Sequence, residues 1–257
     1  MAVSSKTIVF IHGLFMNPLC WSEWVNFFSM KGFTCHTPAY PFHEGNPPSL
    51  RQTVHPDLGQ LTLKNVIGHL SEYIDKLPEK PIIIGHSMGG LITQKMIAEG
   101  RGTAGVCISS APPKGIFSFK WSFLKSNLPV INPFKVNSVC LPSVNWFQYA
   151  MCQNLTQEQT AREFDRLFIP ESRNIPRSSA GSHGYIDFKK PHEPLLFIAG
   201  EEDHIIPSSL NRKNFYAYTD RNSKTDFKEF PHRTHHICAQ QGWQEVATFA
   251  LDWMNVL

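Results

Sequence analysis

Six short apolar runs rich in β-branched residues recur along the chain: TIVFI (7–11), FTCHT (33–37), PIIIG (81–85), GVCIS (105–109), PLLFIAG (194–200) and DFKEF (226–230). Several are apolar without interruption instead of alternating. That is the pattern of central strands in a parallel sheet covered on both faces. Between them the spacing changes to that of a helix. Residues 19–32 end on Lys31-Gly32, a helix stop. Residues 63–78 place Val66, Ile67, Leu70, Tyr73, Ile74 and Leu77 at helical spacing before Pro78, residues 89–100 close at Gly100, and residues 242–257 put Val246, Phe249, Ala250 and Trp253 on one face. Alternating strands and helices predict an α/β fold with a mostly parallel central sheet flanked by helices.

One interval breaks this rhythm. Residues 111–193 contain no convincing parallel strand and are rich in aromatics, among them Phe117, Phe119, Trp121, Phe123, Trp146 and Phe168. A structureless loop of that length does not belong in a compact domain. The stretch TQEQTAREFDRLFIP has Thr156 as N-cap and Gln159 completing a capping box. The division predicted is a core of residues 1–110 and 194–257 with a mainly helical lid, 111–193, inserted into it. The conformation of the aromatic stretch 117–123 stays open.

Bulk properties narrow the function classes. The chain has 257 residues, 42% of them hydrophobic, and a chain this long buries about 70–75% of its unfolded surface around one core. Its 24 Lys+Arg and 21 Asp+Glu give a net charge of +3, too balanced to argue for nucleic acid or an anionic membrane. No stretch approaches the ~20 apolar residues of a membrane span. The N-terminal MAVSSKTIVFIHG lacks the apolar core of a signal peptide. The six cysteines form no CxxC pattern and read as reduced thiols of a cytoplasmic protein. A Cys140–Cys152 pair inside the insertion is the alternative. The oligomeric state is not encoded in any of these features.

The most specific signal is IIIGHSMGG (82–90). Gly85-His86-Ser87-Met88-Gly89 matches G-x-S-x-G, with a strand running in and a helix running out. A serine nucleophile needs that sharp turn so that its hydroxyl stands exposed, and the small flanking residues let strand and helix approach. The helix that follows offers free N–H groups and a positive dipole end to a developing oxyanion. A base and an acid must complete the nucleophile. The acid candidates are Glu201, Glu202 and Asp203, just past the strand LLFIA. The base candidates are His232, His235 and His236 in PHRTHHICAQQGW, after the last strand. Adjacent His235 and His236 diverge and no carboxylate stands at helical metal-ligand spacing beside them, so no metal is predicted.

With VFIHGLF (9–15), the elbow, AGEEDHIIP (199–207) and the histidine loop in that order, the chain resembles the α/β-hydrolase fold superfamily along essentially its whole length. Its ending is similar to a bacterial esterase-like subgroup. The resemblance implies the following roles. In the G-x-x-D-x-x-V/I-P setting, Asp203 is the acid. In the P-G-R-S/T-H-aromatic loop, His235 is the base, His236 holds the aromatic position and His232 replaces a glycine. The backbone N–H groups of Met88 and Leu14 form the oxyanion hole, with Phe15 the fallback for the second. His12 and His86 fit family positions where histidine is structural. Phe15, His86, Trp121 and Trp146 are assigned to the substrate pocket.

These readings lead to a cofactor-independent serine hydrolase, a carboxylesterase acting on small to medium apolar or aryl esters through Ser87, His235 and Asp203. The same triad serves lactonases, thioesterases, C–C hydrolases, hydroxynitrile-lyase-like enzymes and cofactor-free perhydrolases, which stay open as alternatives. A ligand receptor with weak turnover is a further one. Dehalogenases and epoxide hydrolases of this fold carry Asp at the elbow, where this chain has Ser87.

Overall fold

The computed structural model describes residues 5–132 and 134–257. The reading of the N-terminus as no leader falls partly on residues 1–4, which lie outside the described residues. Eight strands occur among the described residues: β1 (Thr7–Ile11), β2 (Thr34–His36), β3 (Ile82–His86), β4 (Ala104–Ile108), β5 (Val139–Cys140), β6 (Glu171–Ser172), β7 (Leu195–Gly200) and β8 (Thr225–Phe230). Six form one sheet in the order β2-β1-β3-β4-β7-β8, each neighbouring pair parallel. The helices are α1 (Ser22–Ser29), α2 (Pro47–Gln52), α3 (Leu63–Ile74), α4 (Met88–Ala98), α5 (Trp121–Ile131), α6 (Val144–Met151), α7 (Gln157–Leu167), α8 (Asn174–Ser179), α9 (Ser208–Ala217) and α10 (Trp243–Asn255).

The four inner strands β1, β3, β4 and β7 are buried throughout because both faces are covered, whereas the edge strands β2 and β8 are only partly buried. Val9, Ile11, Ile83 and Phe197 pack into one core with Val66 and Leu70 of α3 and Leu91 of α4. Their neighbours Ile8, Phe10, Ile82, Ile84 and Leu196 point the other way, against Trp24 and Phe28 of α1 and Val246 and Ala250 of α10. The period of two in a strand assigns each residue to one core or the other.

Helix ends follow local chemistry. Gly32 (φ 85°) and Gly100 (φ 72°) take the left-handed conformation that stops α1 and α4. Helix α3 is shorter than its apolar spacing suggests. The next turn tightens into i→i+3 bonds, Leu77 N–H to Ile74 O at 3.0 Å, ahead of Pro78, which disfavours helix at the residue before it. Helix α9 has no apolar periodicity to announce it, since its buried face includes Asn211 and Asn214 beside Leu210.

Between β4 and β7 the chain forms α5 to α8 and the two-residue antiparallel pair β5–β6. Within 117–123, helix begins at Trp121 and the residues before it are irregular. The capping box at α7 forms: Gln159 N–H donates to Thr156 Oγ1 (3.2 Å) and Thr156 N–H to Gln159 Oε1 (2.9 Å). Cys140 and Cys152 do not pair. Both are buried free thiols; Cys140 faces Glu171 across β5–β6 and the Cys152 Sγ–H points to Phe147 O. Among the described residues no helix is long and apolar enough to cross a membrane.

Candidate active site

The carboxyl ends of β1, β3, β7 and β8 meet along one edge of the sheet, where open α/β sheets place their ligand chemistry. Ser87 stands between β3 and α4 at φ 57° and ψ −118°. A non-glycine residue held there stores about 1–3 kcal/mol, and the surroundings hold it firmly. Its N–H donates to Ile108 O (2.9 Å) and its C=O accepts from Gly90 N–H (3.0 Å) and Ala111 N–H (2.8 Å). The elbow has no space for side chains beside it. A Cβ on Gly89 would lie 2.1 Å from Ile11 O, one on Gly85 2.1 Å from Gly89 O, and one on Gly13 2.9 Å from the Ser87 Cβ.

Asp203 follows β7 and His235 follows β8. The His235 Nδ1–H donates to Asp203 Oδ2 at 2.7 Å, and Ile206 N–H donates to Asp203 Oδ1 at 2.7 Å, so both carboxylate oxygens are held. Both residues are buried. The opposite ring nitrogen, His235 Nε2, is buried without a hydrogen-bond partner. His235 lines a cavity of about 320 Å³ together with Ser87, Leu14, Phe15 and Met88. Glu201 and Glu202 point elsewhere. They gather with His232 at the surface, where His232 N–H meets Glu201 Oε2 and the His232 Nδ1 meets Glu202 Oε1, each at 3.2 Å. His232 stands in the left-handed region that favours glycine, φ 56°.

The backbone donors sort themselves by what already occupies them. Phe15 N–H is donated to Glu171 Oε2 (3.3 Å). Met88 opens α4, so its N–H is one of the four a helix leaves without an intrahelical acceptor. Among the described residues, neither the Leu14 nor the Met88 N–H is donated to a protein group. Both residues line the cavity.

Other histidines brace the site. His12 is fully buried; its Nδ1–H donates to Gly13 O (2.9 Å) and its Nε2 accepts from Tyr40 N–H (3.2 Å). Burial, with a smaller contribution from the charge of His43, lowers its pKa to about 3, so it is a neutral brace for the β1 loop. His86 Nε2–H donates to His235 O (2.9 Å) and its ring lies 4.6 Å from that of His235. Burial, then the proximity of His235, holds its pKa well below the ordinary value. His236 donates its N–H to Met151 O (2.8 Å), and its Nε2 meets Glu163 Oε2 on α7 at 3.2 Å.

Of the pocket residues expected from the sequence, Phe15 lines the cavity and three do not. His86 sits behind His235. Trp146 packs edge-on against Phe15 (5.6 Å) and donates its indole N–H to Ser126 O, one layer back. Trp121, at the start of α5, faces solvent. The wall consists instead of apolar side chains such as Val130, Ile131, Met151, Ile205 and Ile206.

One pair carries no sequence signal at all. His43 and Glu171, 128 positions apart, meet at 3.0 Å with no exposed side-chain surface on either. His43 also faces Pro41 O at 2.8 Å through Nδ1. Pro41 O and the Glu171 carboxylate both offer acceptors, an arrangement that favours the doubly protonated imidazole of His43. Burial opposes that charge, but the Glu171 carboxylate and the hydrogen bonds outweigh it and raise the His43 pKa. Glu171 also accepts from Ser172 N–H (2.7 Å).

Comparison with known proteins bears on this arrangement. No curated protein matches the chain. Solved structures match it over nearly their whole length at low identity. A monoacylglycerol lipase from Paleococcus ferrophilus aligns at TM-score 0.71 and 18% identity, covering 97% of this chain and 94% of that one. A methylesterase from Arabidopsis aligns at 0.70 and 12%, covering 98% and 99%. An extracellular α/β-hydrolase from a Paenibacillus species aligns at 0.68 and 17%, covering 96% and 98%. The model of the alpha/beta hydrolase family spans residues 8–249, from β1 through the elbow and both following loops into α10. The chain belongs to the alpha/beta hydrolase family.

Proposed function

We propose that this protein is a serine carboxylesterase whose nucleophile is Ser87, whose base is His235 and whose acid is Asp203. The observation that carries the reading is that His235 and Ser87 line one cavity while His235 has its Nδ1–H committed to Asp203 and its Nε2 buried and unpartnered. That hydrogen bond leaves Nε2 as the basic atom. Nε2 takes the Ser87 proton as Oγ forms a bond to the ester carbonyl carbon. The Asp203 carboxylate stabilises the imidazolium. The Leu14 and Met88 N–H groups hold the oxyanion. When the tetrahedral intermediate collapses, the carbon–alkoxy bond breaks and the alcohol leaves with the proton from Nε2. Water repeats the sequence on the acyl-enzyme, giving its proton to Nε2 and releasing the acid and Ser87.

The apolar wall and the volume of about 320 Å³ suit a small to medium apolar or aryl ester. Residues 111–193 act as a lid: Phe123, Val130 and Met151 supply part of the wall, and the His236–Glu163 contact ties α7 to the histidine loop. The test is labelling by a fluorophosphonate with mass mapping to Ser87, alongside hydrolysis of short p-nitrophenyl esters. Ser87→Ala is expected to abolish labelling and to lower kcat by at least about 10³-fold. Wild-type hydrolysis by Ser87→Ala would end this reading.

A further inference from the structure

The net charge of +3 conceals a local asymmetry. Residues 111–157 contain Lys114, Lys120, Lys125 and Lys135 and no Asp, Glu or Arg. This segment's charge exceeds that of the whole chain, so the remainder is slightly acidic. The same segment carries several strongly exposed large apolar side chains: Phe134 (92%), Phe119 (81%), Trp121 (72%) and Leu128 (58%). Scattered single apolar residues on a surface are ordinary, but an exposed cluster of this kind marks a contact surface.

Helix α5 organises the cluster. Trp121, Lys125 and Leu128 fall at i, i+4 and i+7, one exposed face. Phe123, Asn127 and Val130 lie on the other face and line the cavity. Helix α5 is therefore a partition between the cavity and an outward apolar surface. Phe117 belongs to both, since it lines the cavity and packs edge-on against Phe119 at 4.5 Å. Among the described residues none of the four lysines is paired with a carboxylate. Lys125 lies over the Tyr149 ring at 3.8 Å. Glu201 and Glu202 share a groove with Lys120 and partly offset that one charge.

We propose that this face of α5 and its flanks docks on an anionic lipid surface and sets the cavity mouth against it. The argument is charge complementarity joined to residue type. Exposed Trp and Phe among lysines, with no carboxylate in the segment itself, is the composition of a helix lying in a lipid interface. An ordinary water-facing helix mixes both signs of charge. No residue spans the bilayer in this arrangement, and docking does not depend on the hydrolytic reading.

Co-sedimentation with vesicles tests the proposal, comparing phosphatidylcholine containing phosphatidylglycerol with phosphatidylcholine alone. The full chain is expected to bind the anionic vesicles at least about tenfold more tightly, and to be released at high salt, where the Debye length shrinks to about 3 Å. Lys125→Ala and Lys135→Ala are each expected to weaken binding about fivefold, the effect of one basic side chain at a charged lipid surface. Combining Phe119→Ser with Trp121→Ser is expected to weaken it at least about tenfold with an unchanged Tm, since both side chains are exposed. A blue shift of tryptophan emission on vesicle addition is expected, and Trp121→Phe should remove it. Ser87→Ala should bind vesicles as the wild type does, which separates docking from catalysis. The proposal is overturned if the wild type fails to bind anionic vesicles at low salt, or if the double serine variant binds equally well. A dimer in solution that the double variant disperses, without vesicle binding, would overturn it in favour of a second copy of this chain.

Discussion

Replacing Glu171 by Gln probes the least anticipated feature of the site. The carboxylate accepts three donors in a fully buried position: His43 Nε2–H at 3.0 Å, Phe15 N–H at 3.3 Å and Ser172 N–H at 2.7 Å. An amide has one oxygen where the carboxylate has two, so at least one donor loses its acceptor. With the amide nitrogen toward His43 and Phe15, a neutral His43 can accept from it, but Phe15 N–H is orphaned. With the nitrogen toward Ser172, that N–H is orphaned and the imidazolium stays buried without its counter-charge. An orphaned buried donor costs about 1–3 kcal/mol, and a broken buried ion pair about 3–5 kcal/mol. We expect a loss of about 3 kcal/mol, which for a chain of this size lowers Tm by about 6–12 °C.

Linkage supplies a second signature of the same pair. The folded pKa of His43 is raised above its unfolded value. Its stabilisation is therefore complete below about pH 6.5 and lost as pH rises through the folded pKa. Glu171→Gln should remove that part of the alkaline loss. Catalysis should suffer as well. Freed from Glu171, the Phe15 N–H no longer fixes the β1 loop that presents Leu14. Losing an oxyanion donor outright costs about 10²–10³ in kcat, so loosening one should cost less, on the order of tenfold, in kcat more than KM. Thermal unfolding across pH 5–9 and ester kinetics measure both. A Tm within about 2 °C of wild type, with an unchanged pH profile, would refute the buried-pair argument. Combining His43→Leu with Glu171→Leu should remove the uncompensated buried charge but restore neither full stability nor kcat, because Phe15 N–H and Ser172 N–H both lack an acceptor.

Three further outcomes are expected. His235→Ala should lower kcat by at least about 10³-fold. His236→Ala should lower it much less and mainly reduce Tm by severing the contact to Glu163; equal, mild losses would overturn the assignment of His235 as the base. Gly13→Ala should reduce kcat at least about tenfold, since the new Cβ would stand 2.9 Å from the Ser87 Cβ and 3.2 Å from His86 O, and stability should fall by about 1–3 kcal/mol; unchanged kinetics would show that the loop yields freely. His12, with its folded pKa lowered to about 3, makes the unfolded state the stronger proton binder between about pH 6.5 and 3. Stability should fall as pH drops through that window, by at most about 1.4 kcal/mol per pH unit from this group, and His12→Gln should flatten the slope in urea titrations.

The features legible in the sequence are those carried by local physics. Continuous apolar runs marked the inner strands β1, β3, β4 and β7, where burial on both faces leaves little room for polar side chains. Gly85 and Gly89 marked the elbow because strand and helix cross there with no room for a Cβ. Thr156 and Gln159 marked the start of α7 because both halves of a capping box lie within four residues. Helix α9 escaped notice because its buried face includes two asparagines, whose environment only the packed fold provides.

Trp121 and Trp146 illustrate the limit more sharply. Both are aromatics of the insertion, and nothing in their neighbours tells a wall from a surface. The fold turns Trp121 outward on α5 and buries Trp146 behind Phe15. The fold also brings Glu201 and Glu202 from the end of β7 to His232, a grouping that no neighbour of His232 in sequence records.

From residue order alone came the α/β class, the turn that exposes Ser87 and the short sets from which acid and base had to be chosen, because each depends on contacts a few residues apart or on backbone sterics. The packed chain alone set which carboxylate meets His235, that His235 and Ser87 share a cavity, and that Glu171 holds Phe15 N–H. Those are contacts between residues separated by 32 to 156 positions. Their distances depend on how the sheet and the insertion close on each other, and no local periodicity records that.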